Sequence, residues 1–362
     1  SQISDLSDGK DVVSTRDWLK HCGIKIFDDG QTTLIRGGSF TDPSTDLNCG
    51  NSGTTTRLLL GLLAGKGINA RFIGDQSLSS RPMDRVLNPL AKMGLKLKSN
   101  DGRLPISIFK SDLSGITHNS LIPSAQIKSA ILLAGIEATG KTSTTESVLS
   151  RNHTEIMLKK LGATISTNNL TNTISKSSLS SLINFKVPGD PSTSSFFATA
   201  AILLPNSSIT IDNILLNPTR IGFYRIINKM GAKLNYLNEK FSFGEKLGSI
   251  KVVSSKLNNI NISKNDIPGL IDELPLIALL ATQATGVTEV RDASELRFKE
   301  CDRIKAICKN LINMGANIKE LDDGFIIKGP TPLKTATIKT YDDHRIAMTF
   351  AIAGLISNEN IK

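Results

Sequence analysis

Five times along the chain a helical pattern runs into the same kind of stop: His21-Cys22-Gly23, Lys92-Met93-Gly94, Lys160-Leu161-Gly162, Lys229-Met230-Gly231 and Asn313-Met314-Gly315. A glycine in that place suits the left-handed residue that closes a helix. Each stop lies inside a longer copy, Thr15–Gly37, Arg81–Ile108, Arg151–Ile174, Arg220–Val253 and Arg303–Gly329, that reads as an amphipathic helix followed by two short alternating strands. Between the copies stand shorter, small and apolar helices with Ser, Thr, Asn or Asp near their starts: Asn51–Ala64, Ser124–Gly135, Ser192–Leu204, Asp272–Gly286 and Asp343–Gly354. Both series repeat with a period of about seventy residues, too long for a solenoid unit and long enough for a small βαβαββ module. The expected fold is therefore α/β, with such modules packed into lobes. The proline-glycine turn in Phe185-Lys186-Val187-Pro188-Gly189-Asp190 marks the boundary, giving a first lobe at 1–186 and a second at 187–362. The series opens and closes in mid-unit, so one helix is expected before Ser1 and one after Lys362.

Composition narrows the function. Hydrophobic residues make up 39% and charged residues 21% of 362 residues, which fits a globular protein with a sizeable core and excludes a disordered or disulfide-dense chain. The longest uncharged stretch, Pro191–Ile211, is broken by prolines and hydroxyl residues, so no membrane span is expected. Residues 1–20 show no secretory pattern, and a cytoplasmic location is expected. Cys22, Cys49, Cys301 and Cys308 form no CxxC pair and have no histidine at ligand spacing, so neither a metal nor a disulfide framework is expected. The net charge of +10 favours anionic partners. Without a basic run or aromatics among the basic residues, small anions are expected rather than nucleic acid.

Several helix starts carry groups that could hold such anions. Asn51-Ser52-Gly53-Thr54-Thr55-Thr56-Arg57 feeds a buried helix whose free N–H groups and positive dipole end favour a phosphate or carboxylate. Arg81-Pro82-Met83 sets an arginine before a helix, and Ser124-Ala125-Gln126-Ile127-Lys128 repeats a hydroxyl and an amide at another start. Asp272-Glu273-Leu274-Pro275 places two carboxylates at the mouth of an apolar helix, where capping is the simpler reading and a general base the sharper one. Lys299 and Arg303 are four apart, hence expected on one helix face beside Glu300, and a solvated ion-pair ladder is the simpler account. Asp343-His344-Arg345 opens the last small helix. Cations and hydroxyls at so many starts suggest convergence on an anion-lined cleft.

Taken in order along the whole chain, Asn51–Arg57, Arg81–Met83, Ser124–Gln126, Ser150-Arg151-Asn152-His153-Thr154-Glu155, Val187–Asp190, Asp272–Pro275, Lys299-Glu300-Cys301-Asp302-Arg303 and Asp343–Arg345 resemble the motifs of the 5-enolpyruvylshikimate-3-phosphate (EPSP) synthase family. The resemblance implies six βαβαββ units in two lobes of three, with the active site between the lobes. It implies transfer of the enolpyruvyl group of phosphoenolpyruvate to the 5-hydroxyl of shikimate 3-phosphate with release of phosphate, and no cofactor or metal. By position, Gly53, Arg81 and Gln126 match groups that hold the phosphoenolpyruvate phosphate, and Arg303 and Arg345 match those that grip its carboxylate. Ser124, Gln126, Ser150, Asp272 and Lys299 match contacts of shikimate 3-phosphate. Asp272 matches the carboxylate that takes the 5-hydroxyl proton, and Glu300 with His344 matches groups that manage the proton at the enolpyruvyl methylene. Position 295 is Glu where some members have Asn, and the family's first Lys-Ser pair, a nearby Arg and a C-terminal Lys would fall upstream of Ser1 and beyond Lys362. A monomer is expected, with little activity in the chain as it stands.

Two other readings stay open. One is the related transferase that moves enolpyruvyl to UDP-N-acetylglucosamine, whose cysteine-bearing loop has no counterpart here. The other is a non-catalytic anion-binding protein.

Overall fold

The computed structural model describes residues 1–182 and 184–357. The chain divides into two compact units, Ser1–Val187 and Pro188–Lys362. The helices are, in chain order, α1 (Lys10–His21), α2 (Gly53–Gly65), α3 (Gln76–Ser79), α4 (Asp84–Lys92), α5 (Ala125–Gly135), α6 (His153–Lys160), α7 (Pro191–Leu203), α8 (Gly222–Lys229), α9 (Leu274–Gln283), α10 (Arg303–Asn313) and α11 (His344–Gly354). Among the described residues no helix is long and apolar enough to cross a membrane.

The repeat is written into the sheets. In one of them Leu47–Asn48 runs parallel to Ala70–Ile73, which pairs antiparallel with Arg103–Phe109, which pairs antiparallel with Lys96–Asn100. The same order joins Thr117–Ser120, Lys141–Glu146, Thr171–Ser175 and Ile165–Asn168. It recurs in Asn261–Ile262, Gly286–Val290, Gly324–Gly329 and Asn317–Leu321. In the sheet of Ser208–Leu215 the parallel step shrinks to a bridge between Gly189 and Ile214. In the remaining sheet Gln2–Ser4 takes its parallel partner from Phe185–Lys186, so the two ends of the first unit meet in one sheet. A parallel pair needs a crossover, and α2, α5, α7 and α9 supply it; these are the small apolar helices of the sequence pattern.

The amphipathic series lies between the second strand of each sheet and its terminal hairpin, and its stops are alike. Gly23, Gly94, Gly162, Gly231 and Gly315 have φ of +89, +105, +91, +98 and +85°, the left-handed region that a side chain would strain. After each glycine the next residue's N–H returns to a carbonyl five residues back, as from Ile24 to Leu19 and from Leu95 to Leu90, which closes the helix in a Schellman turn.

The small helices are core. Leu274–Thr282 of α9 is buried throughout, as are Leu59, Leu60 and Leu63 of α2 and Ala130, Ile131 and Leu132 of α5. Each buried leucine or isoleucine contributes about 1.5–3 kcal/mol. Two expectations are corrected here. The fourth small helix is shorter than Asp272–Gly286: Pro275, tolerated only in a first turn, lets α9 begin at Leu274, Ile271–Glu273 forms a separate 3-10 turn, and Gly286 opens a strand. Lys299 does not share a helix with Arg303, because Asp302 caps α10 at Arg303 and Lys299 is extended backbone after the short turn Ser294–Phe298.

Candidate active site

In the first unit the expected phosphate group assembles around the start of α2. Ser52 caps the helix, its hydroxyl accepting the Thr55 N–H at 3.1 Å. A Cβ at Gly53 would lie 2.9 Å from Arg57 Nη1, so the glycine leaves room for that guanidinium head at the helix N-terminus, and Arg81 Nη1 is 3.6 Å from the same point. Arg57 donates to Gln126 Oε1 at 2.7 Å, and Gln126 in turn donates to Thr54 at 2.8 Å. Arg81 donates to Asn51 Oδ1 at 2.9 Å and Ser77 at 3.3 Å, while its buried Nε has no hydrogen-bond partner. Gly53, Arg81 and Gln126 are therefore brought together, and Arg57 joins them. Ser124 precedes α5, and its side chain makes no cap hydrogen bond there.

Ser150 is 5% exposed and its hydroxyl has no partner. Its backbone N–H points to Glu146 Oε2 at 3.4 Å, and that same oxygen takes Lys128 Nζ at 2.7 Å. Lys128, wholly buried, is also 2.7 Å from Glu155 on α6. This triad ties α5, which carries Ser124 and Gln126 at its start, to the segment bearing Ser150.

In the second unit Asp272 is the meeting point. Its Oδ1 lies 3.2 Å from Lys299 Nζ and 3.3 Å from Arg303 Nη1. Arg303 is 1% exposed and also bonds Glu300 Oε2 at 2.6 Å and Asp343 Oδ2 at 2.8 Å, so a solvated ladder is excluded. Burial works against the Arg303 charge, but Asp343, Glu300 and Asp272 outweigh it and hold the guanidinium protonated. Asp343 caps α11 through the Arg345 and Ile346 N–H groups; burial would raise its carboxyl, and Arg303 with those amides keeps it below the usual range. Arg345, second in α11, donates to Ser192 Oγ at 2.7 Å and to the Asp272 carbonyl at 3.2 Å. Asp272, Lys299, Glu300, Arg303 and Arg345 thus form one network. His344 stands apart from it, exposed at the first position of α11.

The sequence pattern does not single out Arg57, Lys128 or Ser192 as functional groups, and it offers Glu273 only as a cap or a base. Arg57 is one helical turn after Gly53, a spacing that could have signalled it. The others depend on partners distant in sequence.

The cysteines offer no nucleophile. Burial pushes the Cys49 and Cys308 thiols up to about 12 and that of Cys22, helped by Asp42, to about 11. Cys301, half-buried, is raised to about 12 by burial and the adjacent Asp343. Only a thiolate attacks, so iodoacetamide at neutral pH should leave substrate turnover unchanged; rapid inactivation with labelling at Cys301 would contradict this environment.

A chain so arranged can gather anions at helix starts and arginine heads, and set carboxylates beside them for proton transfer. Comparisons with known proteins point the same way. The family described as EPSP synthase (3-phosphoshikimate 1-carboxyvinyltransferase) matches residues 1–362. A 3-phosphoshikimate 1-carboxyvinyltransferase of Oceanobacillus iheyensis is 43% identical over 364 residues, covering 99% of this chain and 85% of its own. One from Persephonella marina is 43% identical over 371 residues, covering 100% and 86%. A solved EPSP synthase of Acinetobacter baumannii superposes with a TM-score of 0.88 at 34% identity, over 100% of this chain and 84% of that one. The enolpyruvyl transferase NikO of Streptomyces tendae shares the fold, with a TM-score of 0.75 at 18% identity over 98% of this chain and 82% of its own. The repeated sheets, the motifs and these relatives agree: the chain belongs to the EPSP synthase family.

Proposed function

We propose that the chain transfers the enolpyruvyl group of phosphoenolpyruvate to the 5-hydroxyl of shikimate 3-phosphate, with its site residues acting in the roles that the family resemblance implies. The observation that carries this reading is Asp272, a carboxylate at a helix mouth whose Oδ1 is held by both Lys299 and Arg303. Two multiply charged anions repel each other, so joining them needs fixed cations already in place. Ser124, Gln126, Ser150 and Lys299 hold shikimate 3-phosphate; Gly53, Arg81 and Gln126 hold the phosphate of phosphoenolpyruvate, and Arg303 and Arg345 its carboxylate. The Arg57–Gln126–Thr54 chain supports this, because it fixes the amide beside the two guanidinium heads.

The chemistry is addition and elimination. Asp272 takes the 5-hydroxyl proton as that oxygen bonds to C2 of phosphoenolpyruvate, and the methylene carbon gains a proton from the Glu300 and His344 pair. The tetrahedral intermediate then gives up a methyl proton to the same pair, the C–O bond to phosphate breaks, and the double bond is restored. Asp272 and Glu300 both meet the Arg303 guanidinium, so the base and one member of the acid pair stand beside a single cation.

Calorimetry tests the binding half. Shikimate 3-phosphate should bind with an affinity that weakens as salt rises, because attraction between exposed charges is screened over about 8 Å at physiological ionic strength. Release of inorganic phosphate from phosphoenolpyruvate should require shikimate 3-phosphate. Salt-independent binding would count against the cationic site, and binding without phosphate release would favour the anion-binding reading.

A further inference from the structure

Glu273 is 2% exposed and takes no part in the chemistry above, yet it occupies the point where three of the small helices begin. It directly precedes α9 without capping it, Ser192 is the second residue of α7, and Arg345 is the second residue of α11. Ser192 Oγ donates to Glu273 Oε1 and accepts from Arg345 Nη1 at 2.7 Å. That polarity is forced. A guanidinium has only donors, so the serine oxygen must accept from it, and the serine's single proton is left for Glu273. Arg345 Nη1 also lies 3.7 Å from Glu273 Oε1, while Glu273 Oε2 is buried without a partner. The charged and titratable groups that bear on Glu273 are Asp272, Arg220, Arg345 and Tyr224; burial and then Asp272 push its carboxyl upward, with the two arginines pulling the other way.

We infer that Glu273 is a positioning residue which, through the Ser192 hydroxyl, fixes the Arg345 guanidinium in the orientation that receives the carboxylate of phosphoenolpyruvate. The inference rests on the reading of Arg345 given above. An acceptor at Glu273 Oε1 locks the serine proton, the serine lone pair then locks Nη1, and the rest of the guanidinium fork is left to an incoming carboxylate. Without that acceptor the hydroxyl is free to turn its proton elsewhere, and the guanidinium loses an oriented partner inside a buried site. The cost falls on one substrate, because Arg345 and not Lys299 is the group released.

Steady-state kinetics on Glu273→Leu, Ser192→Ala, Glu273→Gln and Arg345→Lys separates the possibilities. Loss of a hydrogen bond to a charged group corresponds to a factor on the order of ten or more, so Glu273→Leu and Ser192→Ala should each raise KM for phosphoenolpyruvate about tenfold. KM for shikimate 3-phosphate should stay within about twofold, below the scale of one hydrogen bond. The two effects should not add in the double variant, since both break one relay. Glu273→Gln, which keeps an acceptor oxygen, should restore most of the affinity. A purely structural role would lower the folded fraction and so the apparent kcat without a selective change in KM. If Arg345→Lys weakens phosphoenolpyruvate while Glu273→Leu and Ser192→Ala do not, the relay is wrong and the reading of Arg345 stands; if Glu273→Gln is as weak as Glu273→Leu, the acceptor role is wrong. If Arg345→Lys has no effect, the reading of Arg345 falls and takes the inference with it.

Discussion

Asp272→Asn is expected to lower kcat by on the order of a hundredfold or more while both substrates still bind. The substitution keeps the shape of the side chain and its hydrogen-bonding oxygen, so Lys299 and Arg303 retain a partner at Oδ1. What it removes is the ability to accept a proton. A general base acts in the transition state, so its loss appears in kcat and kcat/KM alike rather than in ground-state affinity. Rapid-quench measurement of turnover together with calorimetry of shikimate 3-phosphate checks both halves. Full turnover in the variant would remove Asp272 from the mechanism, and lost binding with normal turnover per bound substrate would make it an anchor only.

Lys128→Met should cost about 3–5 kcal/mol of stability, the range for breaking a buried ion pair by removing one partner. Lys128 is wholly buried, and its ammonium is shared by Glu146 and Glu155, which are 3% and 6% exposed. Methionine fills similar space but leaves two carboxylates buried without their cation. Replacing all three residues with apolar ones of similar size should recover much of the loss, because the buried charges then disappear together. The single tryptophan, Trp18, is buried in the same unit and packs edge-on against Phe72 at 5.8 Å, so its fluorescence reports unfolding there. A urea midpoint unchanged by Lys128→Met would contradict the arrangement of the triad.

Much of the fold could be read in advance because it repeats. Glycine stops at a fixed period reveal modules even when each helix or strand is short, and all five glycines adopt the conformation that their position demanded. The small helices were legible because a run such as Leu274–Ala281 has no polar face to show solvent. What misled was local spacing. Lys299 and Arg303 sit four apart and look like a helical pair, but Asp302 is a stronger start signal, and its cap shifts the helix past Lys299. Asp272 and Glu273 look like caps for the same reason that any carboxylate at a helix mouth does; their use is decided by Lys299, Arg303, Ser192 and Arg345, none of them nearby in sequence. Lys128 was invisible for a related reason. In an apolar helix a lone lysine reads as a solvent-facing residue, and only the folded chain brings Glu146 and Glu155 to it. Arg57 meets Gln126 and Ser192 meets Glu273 across long stretches of chain, which no local motif can show.

The central claim is that the helix-start cations and carboxylates of this chain join two particular anions. Phosphorus NMR of the protein with phosphoenolpyruvate and candidate acceptors tests it most directly. With shikimate 3-phosphate, the phosphoenolpyruvate signal should convert to inorganic phosphate in step with a shift of the shikimate phosphate ester signal, which stays attached in the product. With UDP-N-acetylglucosamine the phosphoenolpyruvate signal should not change. Phosphate formed with the nucleotide sugar and not with shikimate 3-phosphate would contradict the account.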